Sequence, residues 1–295
     1  MSLSSKFGDA RMRKLSKRLH RIYAQASEEL TEKVNSFFAD FKRLDEKNLA
    51  LVEAGQMGKR EYYRWRKNKL LMGSKYADLR DTIADRMTNA DRIAMKYVNG
   101  ELPAVYAHNY NQVGTGIERK VKGYSFDIVN EHTIRKLSTS DKTLLPYKFV
   151  DGHRATRWNT KRVNSQILQG ILQGESADQM ARRLLNVTTM NKESALRNAR
   201  TAVTSAQNKG RVDAMRQAVD DGVIMEKEWI ATKDERTREA HAELDRVSIP
   251  IDEPFVNSIG EIMYPGDPDA DPSNTYNCRC TIAEVVKGFR RRDDG

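Results

Sequence analysis

Cysteine is nearly absent from this 295-residue chain, which has two, Cys278 and Cys280. Two thiols separated by one residue cannot join distant segments, so no disulfide framework holds the fold. Proline is scarce as well: there are seven, none before Pro103 and five from Pro250 onward. No run of about 18 apolar residues occurs, which excludes an ordinary transmembrane helix. The opening MSLSSKFGDARMRKLSKRLH has no apolar secretory core, so the chain is expected to be made in the cytosol. Phosphate-cradling glycine loops, G-x-S-x-G and H-E-x-x-H are missing, and His20, His108, His132 and His153 are scattered. Nothing here demands an enzyme, and none is expected.

Charge is plentiful, with 51 Lys and Arg against 41 Asp and Glu, a net +10. Residues 1–100 hold 22 basic and 13 acidic side chains (net +9), and residues 101–225 hold 19 and 12 (net +7). Residues 226–286 hold 6 and 14 (net −8), and 287–295 return +2. A basic body with an acidic C-terminal part predicts two surfaces with different partners, the basic one suited to double-stranded DNA without sequence preference.

Leu15, Leu19, Ile22, Leu30, Val34, Phe37, Phe38, Phe41 and Leu44 recur at three- and four-residue steps and predict a long helix. Gly55-Gln-Met-Gly58 predicts a turn. Leu79, Ile83, Met87, Ile93, Met95 and Tyr97 predict a further helix closed by Asn99-Gly100 and Pro103. Gly114, Gly116 and Gly123 break the pattern beyond it. Helical periodicity returns from Val163, Ser176 is a candidate N-cap, and Gly222 ends the last long helix. The expected organisation is an N-terminal helical region (1–103), an irregular connecting region (104–157), a second helical region (158–225), a compact α+β module with one helix and a small sheet (226–286) and a basic tail (287–295). The fold class is mainly α with a small C-terminal α+β module.

In that module Thr232-Lys-Asp-Glu235 has capping-box spacing and predicts a helix from about residue 233. Asp234, Arg238, His241 and Asp245 would then form one polar stripe, unless they are only a ladder of exposed ion pairs. Cys278-Arg279-Cys280 lies in a β-like run, whose period of two turns both thiols to one face. With His241 they make three candidate zinc ligands, and Asp245 could supply a fourth. The simpler expectation, adopted here, is two buried thiols and no cofactor. A zinc-deaminase pattern is matched only by His241-Ala-Glu243, because the cysteines are C-x-C after Asn277. Asp267, Asp269 and Asp271 imitate a calcium loop, but Pro272 and Cys278 occupy positions that need Gly and Glu.

Lys59, Arg60, Arg64, Arg66, Lys67 and Lys69 surround Tyr62, Tyr63 and Trp65. Cations with aromatic rings are a candidate nucleic-acid surface. Helical spacing favours rings packed in a bundle, with the cations outward and still able to meet phosphates.

Trp229-Ile-Ala-Thr-Lys-Asp234-Glu-Arg236-Thr-Arg238-Glu-Ala-His241, followed by Asp245, Phe255, Pro265-Gly266-Asp267 and Asn277-Cys278-Arg279-Cys280, resembles the phage head morphogenesis family, the Mu F-like minor head proteins. The resemblance extends to RWNTKRVNSQILQGILQGESADQMARRL, ALRNARTAVTSAQNKGR and the N-terminal EYYRWRKNKLLMG and NGELPAVYAHNYN. Arg246 departs from it, standing where the family commonly has Gly. The resemblance implies a low-copy protein inside the virion head, assembled in the host cytoplasm near the portal. It also implies contacts with portal, scaffold or capsid proteins, and with packaged DNA or its ejection. It implies no catalytic residue. The alternative is a metal-dependent enzyme acting on nucleic acid through the His/Cys module.

Overall fold

The computed structural model describes residues 3–290, with side chains from Lys6 onward; the end of the expected basic tail, 291–295, lies outside the described residues. Six helices come first: α1 (Leu3–Glu53), α2 (Lys59–Leu71), α3 (Ser74–Lys120), α4 (Glu131–Ser140), α5 (Gly152–Leu172) and α6 (Ala177–Asp220). The mainly α class with a small C-terminal α+β module is what the structure has.

The chain divides into two compact units, each discontinuous in sequence. One comprises Lys17–Met95 and Phe149–Ala195. It is helical, and most of the predicted stripe of α1 lies in its core: Leu19, Leu30, Val34, Phe38 and Phe41 are buried, Ile22, Phe37 and Leu44 are half-buried, and Tyr23 joins them although the stripe did not include it. Ser176 caps α6 as expected. Its hydroxyl accepts from the Gln179 amide N–H at 3.3 Å, and Gln179 Oε1 accepts from the Ser176 amide N–H at 2.7 Å, a reciprocal capping box.

The other unit comprises Met1–Ser16, Lys96–Lys148 and Leu196–Gly295. Here α3 overrides two predicted breaks. The helix does not stop at Asn99-Gly100 or at Pro103. Val98, Leu102, Val105, Asn109, Val113 and Ile117 are all buried, so continuous packing outweighs the one lost backbone hydrogen bond. Gly114 is a close approach, not a break: a Cβ there would lie 1.9 Å from the Phe126 ring. The expected irregular stretch 104–157 therefore holds the end of α3, all of α4 and the start of α5.

The C-terminal part of this unit contains strands β1 (Val223–Ile230), β2 (Ser248–Pro250), β3 (Phe255–Asn257), β4 (Gly260–Ile262) and β5 (Thr281–Phe289). They form an antiparallel sheet ordered β2-β1-β5 and a separate β3-β4 hairpin. Trp229 pairs with Ile282, and Glu228 with both Ser248 and Ala283. Two four-residue helices, α7 (Glu239–Ala242) and α8 (Pro272–Thr275), replace the single expected one. The predicted helix from residue 233 is not formed. Asp234 Oδ1 instead accepts from the Arg236 amide at 3.0 Å, and the Thr237 hydroxyl donates to the Thr232 carbonyl. Short polar side chains have captured the backbone that a helix would have used. Asp234, Arg238, His241 and Asp245 consequently form no stripe.

Candidate functional site

β1 alternates buried and more exposed residues, and this sets Trp229 inward with no exposure. Its indole meets Phe255 edge-on at 5.1 Å and the His241 ring at 5.3 Å. His241 comes from α7, whose single turn ends in the loop leading to β2. That loop turns at Arg246, which adopts a left-handed φ of 70°. The turn forms without a glycine, closed by the Arg246 amide on the Trp229 carbonyl at 2.8 Å and the Trp229 amide on the Val247 carbonyl at 2.9 Å.

Cys278, Arg279 and Cys280 lie just before β5, outside the strand that the sequence predicts for them. Both thiols are buried, at 2% and 3% exposure, and His241 is at 1%. His241 Nδ1 lies 3.5 Å from Cys278 Sγ and 3.8 Å from Cys280 Sγ. The three donor atoms all fall within 4.8 Å of one another, as a metal ion would need. Hydrogen bonding to Cys280, with burial, pushes Cys278 well above the ordinary thiol range, and the same bond with help from His241 lowers Cys280 to about 5.

Asp245, the candidate fourth ligand, is elsewhere. Its carboxylate accepts from the Ala231 amide at 3.0 Å and pairs with Lys233 at 3.1 Å. Those contacts, the amide first, hold its pKa below the usual carboxylate value. Asp234 binds the intervening Arg279 through both oxygens, one bond measuring 2.8 Å. That guanidinium keeps Asp234 far below its ordinary range. Arg238 donates to the Tyr276 carbonyl, while Arg236 is exposed and offers only its amide to Asp234.

Several residues absent from the expected set complete the arrangement. Asn274 Oδ1 receives His241 Nε2 at 2.8 Å, and Asn257 Nδ2 at 3.2 Å. From α6, a helical row moors the motif segments. Thr201 Oγ1 accepts from the Asn277 amide at 3.2 Å, and Thr204 donates to the Cys278 carbonyl at 3.0 Å. Asn208 donates to the carbonyls of Pro265 (2.9 Å) and Cys280 (3.3 Å) and accepts from the Thr281 hydroxyl at 2.9 Å. Arg211 donates to the Ile282 carbonyl at 2.7 Å, and burial pulls its pKa down to about 10. Gly266, at φ +85°, packs so closely that a Cβ would sit 2.9 Å from the Ser205 nitrogen. The signal that could have revealed this row was polar residues at helical spacing among Ala202, Val203, Ala206 and Val212.

Of the basic-aromatic segment, Lys59, Arg60, Arg64, Lys67 and Lys69 are exposed on α2. Arg66 is not free for a ligand: it pairs with Asp45 at 3.2 Å and donates to the Glu175 carbonyl at 3.0 Å. Trp65 stacks on Phe41 at 5.7 Å, and the buried Tyr62 donates to Asp45 at 2.8 Å. Tyr62 and Trp65 pack in the bundle, as helical spacing predicts, whereas Tyr63 is exposed.

Residues 161–283 match the family described as Phage Mu protein F like protein. Over 275 residues the chain is 26% identical to minor head protein GP7 of Bacillus phage SPP1, covering 92% of this chain and 82% of that protein. It is also 33% identical over 133 residues to NAD(+)--arginine ADP-ribosyltransferase EFV of Enterococcus faecalis, covering 44% of this chain but 26% of that protein. No solved structure matches. Both comparisons agree with the resemblance read from the sequence: the family match lies in the C-terminal part of the chain, and the minor head protein is similar along most of it. No helix among the described residues is long and apolar enough to cross a membrane.

Proposed function

We propose that the chain acts by contact and not by turnover. Its C-terminal module docks on a portal or scaffold protein during assembly in the host cytoplasm, and its basic helical surface meets packaged DNA. The observation that carries this reading is the similarity to a minor head protein along nearly the whole of both chains. Two features of the site support it. His241, Cys278 and Cys280 are shut off from solvent, where no substrate reaches them, and the motif residues around them spend their polar groups on internal bonds. The transferase in the second comparison is named for a protein of which this chain spans about a quarter, so its activity is not carried over.

The test is co-expression with portal, scaffold and capsid proteins, followed by sedimentation of procapsids. The chain should sediment with them after nuclease treatment and in high salt, since protein docking outlasts the screening that removes phosphate contacts. Release by nuclease or salt alone would leave a DNA-binding protein and refute docking. His241→Ala should lower incorporation. Loss of a measurable reaction in that variant with normal incorporation would restore the enzymatic alternative.

A further inference from the structure

We propose that His241 Nδ1, Cys278 Sγ and Cys280 Sγ hold one zinc ion, which ties α7 to the segment entering β5. A chain of hydrogen bonds that starts two residues away from the donors orients the histidine. Asn257 Oδ1 accepts from the amides of Ile259 at 2.9 Å and Gly260 at 3.2 Å. Backbone N–H groups only donate, so they fix which end of the Asn257 amide is oxygen. Its Nδ2 is thereby aimed at Asn274 Oδ1, 3.2 Å away. That oxygen then faces His241 Nε2 at 2.8 Å, so Nε2 carries the hydrogen. In the neutral ring that leaves the lone pair on Nδ1, which is buried and faces two sulfurs. This is the arrangement in which a histidine ligand is oriented by the hydrogen bond of its other nitrogen.

Distances agree with a shared ion. Zn–N of about 2.0 Å and Zn–S of about 2.3 Å at tetrahedral angles place N and S about 3.5 Å apart. The two N···S separations are 3.5 and 3.8 Å. A single lone pair on Nδ1 accepts one thiol hydrogen, whereas a metal employs Nδ1 and both sulfurs together. Zinc with two thiolates and a neutral imidazole is also uncharged, which suits a buried site. Asp245 is excluded as a ligand by its bonds to Ala231 and Lys233. Among the described residues no further His, Cys, Asp or Glu joins the cluster, which leaves the fourth position to a small ligand such as water.

The full chain, purified without chelator, should contain about one zinc per chain by elemental analysis. Chelator should lower its thermal midpoint and added Zn2+ restore it. Cobalt loaded in place of zinc should show thiolate-to-metal charge-transfer bands with intense tetrahedral visible bands. Cys278→Ser should lose these bands, and Asp245→Asn should keep both metal and bands. Asn274→Ala should weaken zinc affinity about 10–100-fold by releasing the histidine. Because the cysteine variant can fail to fold, the wild-type chain itself decides: folded protein without zinc, taking up cobalt without thiolate bands, overturns the site. Metal retained in Cys278→Ser with unchanged bands overturns this ligand set.

Discussion

At the scale of single residues, the module tolerates a buried cation that the sequence does not advertise. Lys227 sits on the core face of β1 with no exposure, its ammonium 3.0 Å from the Met263 carbonyl and 5.3 Å from the centre of the Phe255 ring. Burial, with Arg216 nearby, pushes its pKa down from 10.5 to about 8. The unfolded chain therefore binds this proton more tightly than the folded one. The cost to folding is complete below about pH 8 and disappears as pH rises toward 10.5. Lys227→Met keeps the volume and removes the charge. It should raise stability by about 1–2 kcal/mol at pH 7, a gain that shrinks as pH approaches 10. Denaturant unfolding of both proteins from pH 7 to 10 checks this; a pH-independent difference would contradict it.

The element that organises the site is α6. One helical row, Thr201, Thr204, Asn208 and Arg211, binds backbone groups of the Pro265 turn, the Asn277–Cys280 segment and β5. Asn208 is the most connected, and it is fully buried. Asn208→Ala would strand the Pro265 and Cys280 carbonyls and the part-buried Thr281 hydroxyl, and a buried polar group costs about 1–3 kcal/mol when unpaired. A loss of roughly 2–4 kcal/mol is expected in denaturant unfolding. A change under about 0.5 kcal/mol would mean water replaces the amide there. The same scale explains α3: one proline costs one hydrogen bond, while the buried residues on either side hold the helix together.

For the molecule as a whole, charge separates the two kinds of partner proposed. The exposed cations of α2, Lys59, Arg60, Arg64, Lys67 and Lys69, can meet phosphate, whereas Arg66 is spent on Asp45 and Glu175. Replacing the five exposed residues with Gln should weaken duplex DNA binding uniformly across sequences. The slope of log affinity against log salt should flatten by roughly 0.9 for each phosphate that is no longer neutralised. Arg66→Gln should instead lower the melting temperature. An unchanged salt slope in the five-fold variant would remove α2 from the DNA surface.

What the sequence determined by itself was local or chemical. Apolar spacing showed most of the core stripe of α1, Ser176 showed a helix start, and Cys278, Cys280 and His241 showed the donor types. The division into a basic body and an acidic module was legible there too, because net charge is a sum over residues and does not depend on their arrangement. Tertiary structure alone decided how α3 passes Pro103, because long-range packing overrode a local breaker. It separated Asp245 from His241, because α7 ends at Ala242 and the Ala231 amide and Lys233 hold the Asp245 carboxylate. It supplied Asn274, Asn208 and Arg211, whose partners lie 33, 57 and 71 residues away. Periodicity cannot report such pairs, since a buried polar side chain reads like a surface one until its distant partner is in place.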